Sequence, residues 1–251
     1  MNWQGKTVSV FNAELYYEVH GEGQPLVCLH NFSSNGRDRF RALLPILAKK
    51  YQCYLVDLRG HGRSNNPSGD WTKEQFSRDI IELCSKIGLH SAYFLAASSG
   101  AMTMLRVARY APELVKAMVL DSGTYRIPEA SRRFYKAPEN LSEKLKAYYA
   151  KANEIYGASY GPVLAKAFYD FRLPECDINT PAEVLKEISA PTLIIHGDRD
   201  LFFPVDIPVA MKRTIANSQL IVSPNTEHIV MEFYPEAVAE RTVEFFEKLR
   251  R

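Results

Sequence analysis

Charge of one sign is missing from this chain. Its 31 lysines and arginines face 29 aspartates and glutamates, leaving a formal charge of +2 over 251 residues. No basic block runs along it, so a phosphate-tracking surface, and with it a nucleic-acid partner, is not expected. Long apolar runs are also absent: none approaches the roughly 20 residues that a membrane helix needs. The opening MNWQGKTVSVFNAELYYEV lacks the charged and then apolar regions of a signal peptide. Cysteine is sparse and scattered at Cys28, Cys53, Cys84 and Cys176, with no CxxC pair and no metal-like grouping. These read as reduced thiols of a cytoplasmic protein. There is no internal repeat and no low-complexity segment. The length suits one substantial core, with room for an inserted subdomain.

What is present centres on YFLAASSGAMTM, Tyr93–Met104. An apolar strand-like run passes through small residues into a helical pattern. A strand that turns sharply into a helix around a serine holds the hydroxyl above the sheet edge, and the helix N-terminus offers free N–H groups to a developing oxyanion. Such a turn has no room for large side chains two before, two after and three after the serine. For Ser98 those positions are Ala96, Gly100 and Ala101; for Ser99 they are Ala97, Ala101 and Met102. Met102 does not fit, so Ser98 is preferred.

Around this stretch, strand-like and helix-like segments alternate. Thr7–Phe11 and Glu14–His20 suggest antiparallel strands. PLVCLH (25–30), CYLVDL (53–58), Val115–Leu120, PTLIIH (191–196) and Ser218–Ser223 read as further strands. Helical spacing covers Phe40–Lys50, Thr72–Ile87, Ile207–Ile215 and Pro235–Leu249. Between about Thr124 and Ser189 the alternation breaks into helical patterns alone, at Ser142–Tyr156, Pro162–Phe171 and Pro181–Ile188. The expectation is an α/β fold with a mostly parallel central sheet and helices on both faces. Its core would comprise residues 1–123 and 190–251, and residues 124–189 would form a helical lid inserted over one end.

In such a sheet, functional groups gather at the carboxyl ends of the strands. A serine needs a base to take its proton, and the base needs an orienting acid. Of the six histidines, His228 follows the last strand in a polar loop that can reach the serine turn. His30 and His196 end strands and are read as loop supports. Asp121, Asp198 and Asp200 compete as the acid. Asp200 is preferred, because two further residues let its loop bend back toward His228; Asp121 is the alternative.

The segments YYEVHGEGQPLVCLHN, DLRGHGRS, the Ser98 turn, PTLIIHGDRD and EHIVMEFYPE together resemble the α/β-hydrolase superfamily, in its lidded single-domain serine esterase-like branch. The resemblance spans nearly the whole chain. It implies Ser98 as nucleophile, Asp200 as acid and His228 as base, with an oxyanion hole from the backbone N–H groups of Phe32 and Ser99. Two positions depart from the pattern. Asn31 stands where relatives usually carry glycine, and Ala96-Ala97 stand where glycine and histidine are frequent. Ser98 itself argues against branches that use an aspartate nucleophile.

Aromatics are dense in the insertion. Tyr125, Phe134, Tyr149 and Phe168 are candidates to line an apolar pocket over Ser98, with Asn31, Phe32 and Phe202 from the core. The expected activity is hydrolysis of a small, largely apolar ester, thioester or lactone through an acyl-enzyme. Hydrolysis of a C–C bond beside a carbonyl, or slow-turnover ligand sensing, are the alternatives. The partner is a small acyl compound, no metal or organic cofactor is required, and oligomeric state stays open.

Overall fold

The computed structural model describes residues 5–156 and 160–250. The ends of the expected core, residues 1–4 and 251, and residues 157–159 of the expected lid fall outside it. The strands are β1 (Gly5–Val10), β2 (Ala13–His20), β3 (Gln24–Leu29), β4 (Tyr51–Val56), β5 (Ala92–Ala97), β6 (Val115–Asp121), β7 (Thr192–Gly197) and β8 (Ser218–Ser223). The helices are α1 (Gly36–Phe40), α2 (Leu44–Leu47), α3 (Lys73–Lys86), α4 (Ser99–Tyr110), α5 (Glu143–Tyr156), α6 (Tyr160–Asp170), α7 (Asp206–Thr214), α8 (Val230–Phe233) and α9 (Pro235–Lys248).

The strands form an eight-stranded sheet in the order β1-β2-β4-β3-β5-β6-β7-β8. β1 and β2 join antiparallel, and every pairing from β3–β4 onward is parallel. The expected α/β architecture is therefore the observed one. Central strands are covered on both faces, which explains why they read as unbroken apolar runs. The two faces nevertheless sort by strand periodicity. In β5, Ala92, Phe94 and Ala96 pack with α3, α4 and α7. Tyr93, Leu95 and Ala97 pack with α1, α2, α8 and α9 on the other side.

Some boundaries differ from the sequence reading. The single helix expected over Phe40–Lys50 is two short ones, α1 and α2. Pro45 carries no N–H to bond back to residue 41, so a continuous helix is interrupted there. The helix expected at Pro181–Ile188 is a 3-10 segment, Ala182–Glu187. Elsewhere local chemistry sets the ends: the Thr72 side chain accepts from the Gln75 N–H at the start of α3.

Between β6 and β7 the chain leaves the sheet and returns. α5 and α6 bury Tyr149, Ala152, Leu164, Ala165 and Ala167 against one another and against Phe32, Met102 and Phe203 of the sheet-bearing part. This third apolar cluster lies over the carboxyl ends of β3, β5 and β7. No described helix is long and apolar enough to cross a membrane.

Candidate active site

Ser98 is the single residue between the end of β5 and the first residue of α4. Its backbone sits at φ 47°, ψ −108°, a region that side-chain-bearing residues rarely occupy. The turn is held from both sides: Ser98 N–H donates to the Asp121 carbonyl at 2.8 Å, and the Ser98 carbonyl accepts the Met102 N–H at 2.9 Å. The requirement for small neighbours has a direct cause here. A Cβ at Gly100 would stand 2.4 Å from the Leu29 carbonyl oxygen, because α4 begins by crossing the end of β3.

Three side chains from three strand ends meet in line. Ser98 Oγ lies 2.9 Å from His228 Nε2, and His228 Nδ1 lies 2.7 Å from Asp200 Oδ2. A carboxylate at Nδ1 fixes the proton there, which leaves Nε2 free to accept from the serine. Asp200 Oδ1 in turn accepts the N–H groups of Phe202 and Phe203 at 2.8 and 3.0 Å. Burial by itself pushes the Asp200 carboxyl up. The His228 and His196 imidazoles and the backbone donor outweigh it, and hold the group below the usual carboxylate range.

The competing acids have other partners. Asp121, at the end of β6, is fully buried and accepts from Val230 N–H, Met231 N–H and the Ser122 hydroxyl at 2.8–3.0 Å. It pins the segment that follows His228, where Ile229 adopts φ 68° and donates to Ser122 Oγ. Burial raises the Asp121 carboxyl despite these donors. Asp198 accepts the Thr226 N–H and shapes the turn before His228. His30 and His196 brace loops, as read from the sequence. His30 Nδ1 donates to the Asn31 carbonyl at 2.6 Å and its Nε2 accepts the Leu58 N–H, while His196 bonds to the Phe203 carbonyl. Burial pushes His30 down to about 4, so it is a neutral strut at physiological pH.

A cavity of about 190 Å³ opens above Ser98. Its wall includes Asn31, Phe32, Ser33, Ser98, Ser99 and His228 on the sheet side, Phe168, Phe171, Tyr135 and Leu145 from the β6–β7 excursion, and Met102, Phe202 and Phe203. Phe32 and Ser99 both line this space, and no acceptor is found for their backbone N–H groups among the described residues. The Asn31 side chain holds Phe32 from its carbonyl end. Its Oδ1 accepts from Arg39 Nε at 2.7 Å and its Nδ2 donates to the Phe32 carbonyl at 2.8 Å.

Of the proposed pocket residues, Asn31, Phe168 and Phe202 reach the cavity and three do not. Tyr125 is buried beside α4, and its carbonyl accepts from Thr180. Tyr149 points its hydroxyl at Ser33 Oγ, 2.9 Å away, and so ties α5 to the segment after β3. Phe134 packs edge-on behind Phe202, with ring centres 6.2 Å apart. Its neighbour Tyr135 takes the wall position instead. Met102, Leu145 and Phe203 were not singled out from the sequence. Met102 carried a signal, since it lies four residues after Ser98, one helical turn on, and so faces the same way. Among the described residues no group of three or more His, Cys, Asp or Glu is arranged to hold a metal ion.

A parallel sheet with this serine turn, imidazole and acid at its carboxyl edge defines the class of α/β hydrolases. The chain belongs to the alpha/beta hydrolase fold family, whose profile matches residues 24–158. It is 26% identical to the serine hydrolase BPHL of Mus musculus over 234 residues, 88% of this chain and 79% of that one. It is 23% identical over 261 residues to the 2-hydroxy-6-oxo-6-(2'-aminophenyl)hexa-2,4-dienoic acid hydrolase of Metapseudomonas resinovorans, covering 96% of this chain and 90% of the relative. A solved thermophilic esterase from Thermogutta terrifontis superposes with a TM-score of 0.79 at 23% identity, across 99% of this chain and 100% of that one.

Proposed function

We propose that the protein is a serine hydrolase that cleaves a small, largely apolar ester, thioester or lactone. The observation that carries the reading is the 2.9 Å contact between Ser98 Oγ and an imidazole already oriented by Asp200. His228 Nε2 takes the Ser98 proton as Oγ attacks the substrate carbonyl. The N–H groups of Phe32 and Ser99 then receive the developing oxyanion, each worth roughly 10²–10³ in rate. The imidazolium returns its proton to the leaving oxygen or sulfur, leaving an acyl-Ser98. Water, deprotonated by His228, releases the acid and restores the serine. Residues 124–189 act as a lid: their aromatic side chains close the cavity and keep bulk water from the acyl-enzyme.

The apolar wall supports an uncharged acyl group, and the kinship with a serine hydrolase supports the nucleophile. The kinship with a dienoic acid hydrolase supports a second reading, in which the same serine cleaves a C–C bond beside a carbonyl. Hydrolysis of p-nitrophenyl esters by the wild type, Ser98→Ala and Ser99→Ala tests the first. Turnover that Ser98→Ala abolishes and Ser99→Ala keeps is expected. A folded wild type that neither turns over esters nor reacts with a fluorophosphonate at Ser98 excludes it, and a vinylogous 1,5-diketone substrate then tests the second.

A further inference from the structure

A second cavity, of about 270 Å³, lies between the start of α3 and the turn after α6. Trp71, Ala167, Phe171, Leu173 and Cys176 form its apolar wall. Of the carboxylates at its rim, Asp170 pairs with Lys166 and Asp177 with Arg106. Nothing in the proposed reaction uses this space.

One side chain belongs to both cavities. Phe171 lines the space over Ser98 and the space beside Trp71. It is the first residue beyond α6, where its N–H closes a turn onto the Phe168 carbonyl at 3.3 Å. Its ring has a defined seat: edge-on to Phe32 at 4.8 Å between centres, 6.1 Å from Phe168, and 4.2 Å from the ammonium of Lys73. Lys73 is itself completely buried, with Phe76 as a further ring at 4.5 Å and the Trp71 carbonyl as acceptor at 3.3 Å. A buried cation against a ring face holds that ring in place. The partition is thus one aromatic ring thick.

We propose that Phe171 sets the length of acyl chain the protein accepts, and that the chamber beside Trp71 is a second subsite for the apolar end of a longer acyl chain. Seated, the ring closes the pocket over Ser98 and favours short chains. Removed, it joins the two spaces into one channel whose far end is apolar. The inference rests on the serine hydrolase reading for its kinetic arm and not for its binding arm.

The kinetic arm compares p-nitrophenyl butyrate with p-nitrophenyl decanoate. Phe171→Ala is expected to raise the decanoate-to-butyrate ratio of kcat/KM at least roughly tenfold, since each accommodated methylene contributes on that scale. Adding Ala167→Leu, which narrows the second chamber, is expected to reverse much of the gain. Phe171→Leu, which keeps most of the bulk, should change the ratio little and controls for a loss of folding.

The binding arm uses Ser98→Ala with Trp3→Phe, which leaves Trp71 as the sole tryptophan, because the chain has two. A medium-chain methyl ester brominated at its tail should quench Trp71 when Phe171→Ala is added, and quench it several-fold less with Phe171 in place. An unchanged ratio, a gain that survives Ala167→Leu, or quenching that ignores Phe171 overturns the proposal. Quenching that depends on Phe171 in a protein without esterase turnover upholds the partition and removes the esterase reading instead.

Discussion

His228 Nδ1 stands 2.7 Å from Asp200 Oδ2, although Asp121 is equally buried and also touches the His228 loop. The difference lies in what each carboxylate already accepts. Asp121 Oδ1 takes the Val230 N–H and the Ser122 hydroxyl, and Oδ2 takes the Met231 N–H. Asp200 directs only Oδ1 at the backbone and turns Oδ2 to imidazoles, His228 at 2.7 Å and His196 at 3.6 Å. One acid aims the ring and the other holds the loop that carries it.

Substitution should separate these roles. Asp200→Asn presents an amide to Nδ1, disfavours the tautomer that accepts from Ser98, and should lower kcat by about 10⁴ with little change in stability. Asp121→Asn leaves a buried N–H unsatisfied and should cost roughly 1–3 kcal/mol in urea unfolding, with a smaller kcat loss. If Asp121→Asn costs as much activity as Asp200→Asn while its unfolding midpoint is unchanged, this division of labour is wrong.

Gly100 gives a steric prediction. An added Cβ would meet the Leu29 and His30 carbonyl oxygens at 2.4 and 2.8 Å, both backbone atoms at the end of β3. Backbone cannot step aside as a flexible side chain can, so α4 must shift. Gly100→Ala should destabilise by roughly 1–3 kcal/mol. It should also lower kcat, because α4 carries the Ser99 N–H and follows directly on Ser98. Denaturant melts and ester kinetics on one preparation check both, and unaltered stability would refute the packing argument.

The fold was readable in the sequence because its strands are buried on both faces and its punctuation is strong. PTLIIH followed by Gly197-Asp198 announces a strand and the loop after it with little ambiguity. The Ser98 turn was readable for a steric reason, the row of small residues at set offsets. The cavity wall was less so. Whether Tyr135 or Phe134 faces the cavity depends on the phase of the 3-10 turn Glu129–Phe134, which neighbouring aromatics do not reveal. Tyr149 reads as a pocket aromatic, but its hydroxyl finds Ser33, more than a hundred positions away in sequence. Long-range pairings of that kind are decided by packing and leave no local pattern.

Asp57 carries a pH signature. Burial pushes its carboxyl up to about 6, outweighing the Gly36 and Arg63 N–H groups that donate to it. Its folded value lies above the unfolded one of about 3.9, so folding favours the protonated form. The stabilisation is fully present below about pH 4 and is lost as pH rises through about 6. About 3 kcal/mol follows from a displacement of that size. The unfolding free energy of the wild type minus that of Asp57→Asn should therefore fall between about pH 4 and pH 7, and flatten on either side. Titrating groups that do not interact with Asp57 cancel in the difference. A constant difference across that range would show that Asp57 titrates normally in the folded chain.

Asn31 gives the most specific test of the oxyanion segment. The Asn31 side chain links Arg39 of α1 to the Phe32 carbonyl. The peptide plane that presents the Phe32 N–H is held by His30, whose Nδ1 donates to the Asn31 carbonyl at 2.6 Å; the Asn31 side chain holds the following plane through the Phe32 carbonyl, and the Phe32 ring packs against His61 at 4.6 Å. Asn31→Gly removes the side-chain link and adds backbone freedom that folding must then restrict. A donor that waits in place loses effectiveness once it wanders, and the loss appears where charge develops rather than in ground-state binding. Asn31→Gly should lower kcat about tenfold and leave KM nearly unchanged, a fraction of the effect of deleting a donor outright. Arg39→Met cuts the outer bond of the same link and should move kcat the same way by less. Because both act through one link, the double variant should lose little more than Asn31→Gly alone. Additive losses would mean that Arg39 and Asn31 act separately. An Asn31→Gly variant as fast as the wild type would mean that the Phe32 N–H is held by the His30 bond and the ring packing without the side-chain link.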